Sequence, residues 1–384
     1  MTTTRTSCRL CGGPLPPLPL LSLKGMPKAA QFFPEKSEFS SDTPITLDMF
    51  QCSACGLVQL TCPPVDYFRD VITAATLSGK ARESRLAQMR ALSEQFGLKG
   101  KKVLEIGSAR GHMLDVISEA GMVPTGLEAS PASVAEAKAA GRNIVQGYIG
   151  GLDRIEGGPF DAFVCLNFLE HLPEPGDVIR RIRDNMTPGA AGFVTVPNLD
   201  YLLKTRSFYE FVADHLSYFT QKTLPHAFEA NGFEVVDCRL INEENDVAVT
   251  VRKRPALEIS AQFAEVEALI RDFRRLVSEY SARGGKVAAW GAGHRTLALM
   301  ALSGVKELAY VIDSAKFKQG RFTPVLHLPI VGPEHLKTEP PALVIVMVPG
   351  LYPGEVLKSL EQNYPGSDVA ILRDNKIEML KTAK

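Results

Sequence analysis

The chain lacks an excess of charge of either sign: 43 lysines and arginines stand against 43 aspartates and glutamates in 384 residues. No surplus of cations is available to displace the counterions of a nucleic acid, so charge gives no ground for a nucleic-acid partner. Long apolar runs are missing too. The longest, Ala342 to Val348, falls far short of the about twenty residues that cross a bilayer. The opening MTTTRTSCRLCGG has no apolar signal region, and the leucine-rich stretch Leu15 to Leu23 is broken by Pro16, Pro17 and Pro19. The expectation is a cytoplasmic, soluble protein with neither membrane nor nucleic-acid partner. Cysteine is also scarce: seven in a chain of this length are too few for a disulfide scaffold. What remains is an ordinary globular composition, 45% apolar and 22% charged, at a length that suits two or three domains.

The few cysteines are not scattered evenly. Four form two pairs, Cys8/Cys11 in CRLCGG and Cys52/Cys55 in CSACG. Two residues between the cysteines and a glycine after them let a tight turn aim both sulfurs at one ion, with backbone N–H groups free to support them. Four soft ligands leave no open position, so the expected ion is a structural zinc. Free buried thiols are the plain alternative. A redox pair has no strand–helix context at either site.

Residues 1 to 66 are rich in proline, serine and threonine and show little periodicity, as a metal-stapled head would. From about Tyr67 to Leu98 the pattern becomes helical, with Leu86, Met89, Leu92 and Phe96 on one face. Next, VLEI reads as a buried strand, GSARG as a turn, HMLDVISEAG as a helix and PTGLE as a second strand. That βαβ unit opens a doubly wound sheet. Strands follow at FDAFVCLN and AGFVTVPN, with a helix near Asp177 to Asn185. After a charged amphipathic helix at 256–281, a second βαβ pattern runs through KVAAWGAGHRTLALMAL, ELAYVIDS and ALVIVMVP, and VAILRDN reads as the final strand. The fold class is therefore α/β: a zinc-binding head (1–66), a Rossmann-like domain (67–255) and a second Rossmann-like domain (256–384).

The first turn points to a class I methyltransferase domain over 67–255. VLEIGSARG places Glu105, Gly107, Ser108 and Gly111 in a pattern closer to the E/DxGxGxG turn of S-adenosylmethionine enzymes than to the dinucleotide GxGxxG, with Ala109 where a middle glycine is usual. Gly107 and Gly111 permit a sharp bend and close approach of a ligand. Glu128 ends the next strand about twenty residues on, where a carboxylate meets ribose hydroxyls, and Ala129 follows it. Asn167 and Phe168 lie at the carboxyl end of a later strand, the binding edge of an open α/β sheet. A domain for NAD or a nucleotide sugar is the alternative. In the third domain, Gly291 and Gly293 form a turn before a helix N-terminus, where anions are favoured; His294, Arg295, Lys318 and Arg321 add positive charge. A nucleoside diphosphate carrier would suit that turn, and a bare scaffold is the alternative.

Taken together, the CxxC…CxxC head, LEIG, LEHLPEP, DHLSYFT, WGAGHRT, VIDSAKFKQGRF and LPIVGP resemble the three-domain, zinc-containing sugar C-methyltransferases across essentially the whole chain. The resemblance implies methyl transfer from S-adenosylmethionine to carbon 3 of a nucleotide-linked 4-keto-6-deoxysugar. It also implies that Asp214-His215, followed by Tyr218, stands where the family has its carboxylate–histidine pair, with His215 as base and His171 matching the histidine of the family's LEH. Where the family carries Tyr, this chain has Val212. Where the family has a YxY…S stretch, DVITAATLS stands at 70–78.

The chemistry agrees with those residue types. A C–C bond to a sulfonium methyl needs a carbanion, which a ketone supplies when a neutral histidine removes the α-proton. The enolate then needs a donor at its oxygen, for which His171 is the first candidate and Tyr218 the reserve. Asp214 adjoins His215 in sequence but is free to orient substrate or another histidine. The competing readings are an O- or N-methyltransferase on a sugar or other small metabolite, and a non-catalytic module that binds zinc and a nucleotide. Nothing in the sequence speaks to oligomeric state.

Overall fold

The computed structural model describes residues 5–31, 33–69 and 79–381. The chain divides into two compact units, Met1–Ala256 and Leu257–Lys384. Among the described residues no helix is long and apolar enough to cross a membrane.

The first unit opens with an antiparallel sheet of β1 (Leu21–Met26), β2 (Ile45–Gln51) and β3 (Val58–Leu60). Leu47 and Met49, two apart on β2, both turn inward onto Leu60, as the pleat requires. Helix α1 (Gly79–Phe96) follows and buries Leu86, Met89 and Leu92, the apolar stripe expected of it. The preceding DVITAATLS segment lies outside the described residues.

The large sheet is then assembled from β4 (Lys102–Ile106), α2 (His112–Glu119), β5 (Val123–Glu128), α3 (Pro131–Ala139), β6 (Ile144–Gln146), β7 (Phe160–Leu166), α4 (Pro175–Asp184) and β8 (Met186–Pro197). The chain then runs through α5 (Leu199–Thr205), β9 (Ser217–Tyr218), which joins another sheet, and α6 (Thr223–Glu229) before β10 (Phe233–Ile241) and β11 (Asp246–Lys253) complete the large sheet. Strand order is β10-β11-β8-β7-β4-β5-β6, and only β11 runs against its neighbours. β4 pairs in parallel with both β5 and β7, so the winding reverses at β4 and opens a crevice at the carboxyl ends of these strands. Successive residues fill opposite faces: Ile106, Phe163, Val194 and Val249 enter one core, Val103, Val164, Phe193 and Ala248 the other. Burial of each large side chain stabilises by roughly 1.5–3 kcal/mol at most.

The head is not a separate body in this unit. β9, from far along the chain, joins its sheet beside β3 through Val58↔Tyr218 and Gln59↔Ser217. The buried Arg9 guanidinium donates to the carbonyls of Leu60, Cys62 and Pro173 at 3.0, 2.6 and 3.0 Å. The division at residues 66/67 expected from composition is thus bridged by backbone pairing and buried hydrogen bonds. Composition registers neither, because both involve partners distant in sequence.

The second unit runs α7 (Ser260–Ala282), β12 (Val287–Trp290), α8 (His294–Ser303), β13 (Leu308–Ile312), β14 (Ile330–Val331), α9 (His335–Thr338), β15 (Leu343–Val346), α10 (Tyr352–Asn363), β16 (Asp368–Arg373) and β17 (Lys376–Lys381). Its order is β14-β13-β12-β15-β16-β17, all parallel except β17. The chain therefore does not end its sheet at VAILRDN. Asp374 and Asn375 both take positive φ (45° and 60°) between the paired Arg373 and Lys376, a two-residue hairpin turn that adds one antiparallel strand.

Gly176, in the first turn of α4, carries the seam between head and sheet. A Cβ there would lie 2.4 Å from the backbone oxygen of Leu10. Gly176→Ala is expected to lower stability by about 1–3 kcal/mol, read as a fall in the urea midpoint at unchanged slope.

Candidate functional site

The crevice at the carboxyl ends of β4 and β5 is lined by Ile106, Gly107, Leu127, Glu128, Ala129, Gly147, Tyr148, Ile149, Phe168 and the Phe68-Arg69 pair. Gly107 has φ 71°, and a Cβ there would meet the Phe168 ring at 2.5 Å. Only glycine lets that ring close over the bend. Gly111 is left-handed as well (φ 79°) and starts α2. Glu128 ends β5 and draws the bend inward: its carboxylate accepts the N–H of Ala109 and of Ser130, both at 2.8 Å. Each oxygen keeps a second lone pair, so the carboxylate can still meet hydroxyls of a ligand. Arg69 lies 4.6 Å over the Tyr148 ring, and Phe68 meets that ring edge-on at 5.7 Å, building an aromatic wall of the crevice.

Two buried polar atoms beside this bend, Glu105 Oε2 and Ser108 Oγ, have no partner among the described residues. A buried orphan is costly unless something arrives to satisfy it. Burial, then the charge of Glu128, holds the Glu105 carboxyl well above its usual range, while Arg85 on α1 opposes them. Arg85 itself donates to Gln88 at 3.0 Å and to Asn167 Oδ1 at 3.4 Å. Asn167 faces inward. Its amide accepts from Thr195 at 2.7 Å and donates to Asp246 at 3.3 Å, so its side chain braces β7 against β8 and β11 and is not among the residues lining the crevice.

Immediately after Phe168, the short 3-10 turn Leu169–His171 brings two histidines together. Leu216 N–H donates to the Glu170 carbonyl at 2.8 Å, and the His171 and His215 rings meet edge-to-face with centroids 4.6 Å apart. His171 Nδ1 lies 2.9 Å from the Asp214 carbonyl. A carbonyl only accepts, so Nδ1 carries the proton and Nε2 presents a lone pair. This corrects the expectation that His171 donates to a substrate oxygen: its neutral ring has one N–H, and Asp214 holds it. Tyr218 is corrected in the same way. Its hydroxyl accepts from Val212 N–H at 3.1 Å and donates to Val212 C=O at 3.3 Å, and the ring is buried against Phe211. Asp214 points away from His215. Its carboxylate accepts from Tyr67 Oη at 2.6 Å and from Ala30 N–H at 2.9 Å. Asp214 therefore positions His171 through its main chain.

His215 is the half-buried member of the pair. Burial, with His171 adding to it, pushes its imidazole down to about 3. The ring is thus uncharged throughout the neutral range. Burial also lowers His171 and lifts the Glu170 carboxyl to about 8.

In the head, the four paired cysteines converge: Cys8 and Cys55 sulfurs lie 3.5 Å apart, Cys11 and Cys52 3.6 Å, and all four fall within 4.8 Å of one another. Zinc–sulfur bonds of about 2.3 Å in a tetrahedron need sulfurs about 3.8 Å apart, so the set fits one such ion. Gly12 and Gly56 take positive φ (73° and 77°), and each turn closes by a glycine N–H bonded to the first cysteine's carbonyl. Leu10 N–H supports Cys8 sulfur at 3.4 Å.

In the second unit, Gly291 is buried at the end of β12, and Gly293 precedes α8, which begins at His294. The N–H of Ala292 is already committed to Asp313, 2.8 Å away, and Lys318 bridges the same carboxylate at 2.9 Å. Arg295 reaches the Leu372 carbonyl at 3.4 Å. Arg321 lines a separate groove with Phe322 and His335. The four basic residues therefore do not converge on one point.

Residues 79–237 match the model of a methyltransferase domain, and residues 239–378 match that of a C-methyltransferase C-terminal domain. The C-methyltransferase NovU of Streptomyces niveus is 27% identical over 368 residues, covering 85% of this chain and 86% of its own. The chain is an S-adenosylmethionine-dependent methyltransferase. A ubiquinone biosynthesis O-methyltransferase of Pseudomonas aeruginosa is 33% identical over 115 residues, which are 28% of this methyltransferase and 49% of that protein. Magnesium protoporphyrin IX methyltransferase of Synechocystis PCC 6803, with bound S-adenosylhomocysteine, superposes with a TM-score of 0.39 at 14% identity, covering 49% of this chain and 97% of that one.

Sequence reasoning missed Phe68, Arg69, Tyr148 and Arg85. The first three carry no motif. Arg85 offered one signal, a cation beside the apolar stripe of a helix directly preceding the Gly-rich turn. The methyltransferase also keeps a strained residue in that turn. Ala109, at the place of the usual middle glycine, has φ 44°. Ala109→Gly is expected to raise the stability of the cofactor-free protein by about 1 kcal/mol, measured by urea unfolding.

Proposed function

We propose that this methyltransferase places a methyl group on the carbon beside a ketone of a nucleotide-linked deoxysugar, with His215 taking the α-proton. The observation that carries the reading is the half-buried, uncharged His215 ring, held against His171 on a turn that begins beside the crevice-lining Phe168. S-adenosylmethionine supplies an electrophilic methyl when bound. The chain's own residues do the rest. Glu128 and the aromatic wall suit an adenosine. Arg85 suits the carboxylate of an amino acid, and Glu105, whose carboxyl an arriving ammonium would bring down into its charged form, suits the ammonium. His215 accepts a proton through a free lone pair, and its base strength rises when an anionic carrier or a forming enolate arrives nearby. The likeness to NovU over most of both chains supports carbon as the acceptor atom.

We infer further that the four cysteines hold a structural zinc, since no ligand position stays open for chemistry. A nucleoside diphosphate at the second unit's Gly-rich turn would have to meet the His294 end of α8, because the Asp313–Lys318 pair occupies the N–H of Ala292. The match to an O-methyltransferase, confined to 28% of the chain, favours a second reading in which a hydroxyl is the acceptor. The same histidine would serve that chemistry.

Exchange separates the two. Incubated in D2O with a nucleotide-linked 4-keto-6-deoxysugar, the wild type is expected to wash deuterium into the carbon beside the ketone; O-methylation without such exchange defeats the carbanion route. His215→Ala should lower methyl transfer by roughly a hundredfold or more while cofactor affinity, read by calorimetry, stays unchanged. Comparable turnover would remove His215 from the chemistry. Arg85→Met is expected to weaken S-adenosylmethionine binding by roughly ten- to a hundredfold, as the loss of a hydrogen bond to a charged group would.

A further inference from the structure

We propose that Glu170, His171 and His215 form a second metal site, which takes a zinc-class divalent cation through one carboxylate oxygen and two imidazole nitrogens. Occupancy withdraws the lone pair that methyl transfer needs, so the ion inhibits. The metal site stands on geometry alone; the inhibition rests on the role proposed for His215.

One ligand atom from each of the three residues falls within 4.8 Å of the others, and among the described residues the only other such cluster is the cysteine set of the head. Two further observations point to a ligand. Glu170 is 2% exposed, yet its Oε2 has no hydrogen-bond partner among the described residues. His171 Nε2, the lone-pair nitrogen, lies 3.9 Å from the Oε1 of the same carboxyl, too far for a hydrogen bond and near enough to share an ion. The outer shell is in place as well, because His171 Nδ1–H is fixed by the Asp214 carbonyl, the arrangement that orients and strengthens a ligating imidazole.

The donor set decides the ion. Two imidazoles and one carboxylate form a three-ligand set that binds zinc with a fourth position open, whereas calcium and magnesium prefer all-oxygen shells. Bonds of about 2.1 Å in a tetrahedron bring donor atoms to about 3.4 Å from one another, so the Glu170–His171 pair, now at 3.9 Å, closes by about 0.5 Å on binding. His215, the half-buried member, has the freedom to swing inward.

The test counts zinc. The purified full-length protein is freed of loosely held metal with a mild chelator, equilibrated with zinc, and analysed by atomic emission. Wild type is expected to hold one ion per chain more than Glu170→Gln or His215→Ala, with circular dichroism and thermal melting confirming that the variants are folded. Cobalt(II) added to wild type whose head is filled with zinc should give ligand-field absorption without sulfur-to-metal charge transfer, a readout that needs no variant. Equal metal content in all three folded proteins, or a cobalt spectrum dominated by thiolate charge transfer, overturns the site. For wild type turning over its acceptor, the second ion should lower methyl transfer at least tenfold, reversibly by chelation; unchanged or faster turnover overturns the inhibition. Metal counting requires no acceptor, so failure of the sugar assignment leaves the proposal testable.

Discussion

Two backbone hydrogen-bond acceptors organise the chemistry of this protein. The Glu170 carbonyl accepts Leu216 N–H, and the Asp214 carbonyl accepts His171 Nδ1–H. They stitch the 3-10 turn after β7 to a segment that otherwise belongs to the head's sheet, and they do so with groups present in any sequence. Side chains then inherit their roles from this stitching. His171 loses its only N–H to it, His215 is brought beside His171, and Asp214 contributes its main chain while its carboxylate faces Tyr67 and Ala30.

The electrostatics follow from that enclosure. A buried cluster of two imidazoles and a carboxyl, with no fixed cation among its hydrogen-bond and ion-pair partners in the described residues, settles into its uncharged forms, since desolvation penalises every ion in it. An uncharged base does not repel a sulfonium donor, and it leaves the net charge of the site to whatever ligand enters. The crevice beside it is organised in the opposite way. Glu128 and Arg85 place charge around the Gly-rich bend, where the Glu105 and Ser108 oxygens, without a partner among the described residues, await one. One region thus suits a charged amino-acid end, and the other suits proton transfer, with Phe168 between them in the chain.

Much of this was legible in the sequence, for physical reasons. A parallel strand buried on both faces reads as an apolar run, so VLEI and FDAFVCLN declare themselves, and a left-handed bend requires glycine, so Gly107 and Gly111 mark the turn. Paired cysteines at CxxC spacing are rare by chance, so the sulfur cluster stands out as well. The illegible part depends on who meets whom. The tautomer of His171 is set by a carbonyl contributed by Asp214, far along the chain, and the Tyr218 hydroxyl is taken by Val212, so neither residue's lost donor could be read from residue type. Ala109 shows the reverse case. A residue that looks like a mild departure from a glycine pattern still adopts the glycine's conformation, because the Glu128 carboxylate holds its N–H in place. The final hairpin at Asp374-Asn375 was legible in principle, since both residues tolerate positive φ.

The head's sulfur cluster acquires a meaning from its connections. Cys52 and Cys55 precede β3, β3 pairs with β9, and β9 begins two residues after His215. Arg9, between Cys8 and Cys11, is clamped by the carbonyls of Leu60, Cys62 and Pro173, and Pro173 lies two residues after His171. Ala30, on the loop between β1 and β2, donates to the Asp214 carboxylate. Each histidine is therefore flanked by a segment that the head holds. An ion on the four sulfurs would not touch the reaction, yet it would fix the ends of both segments and so the spacing of the two rings. A short, proline-rich segment has too little apolar area to provide that rigidity by burial, and a metal supplies it with few residues. On this view the head is the support on which the placement of His215 depends, which explains why the sequence divides the two while the fold merges them.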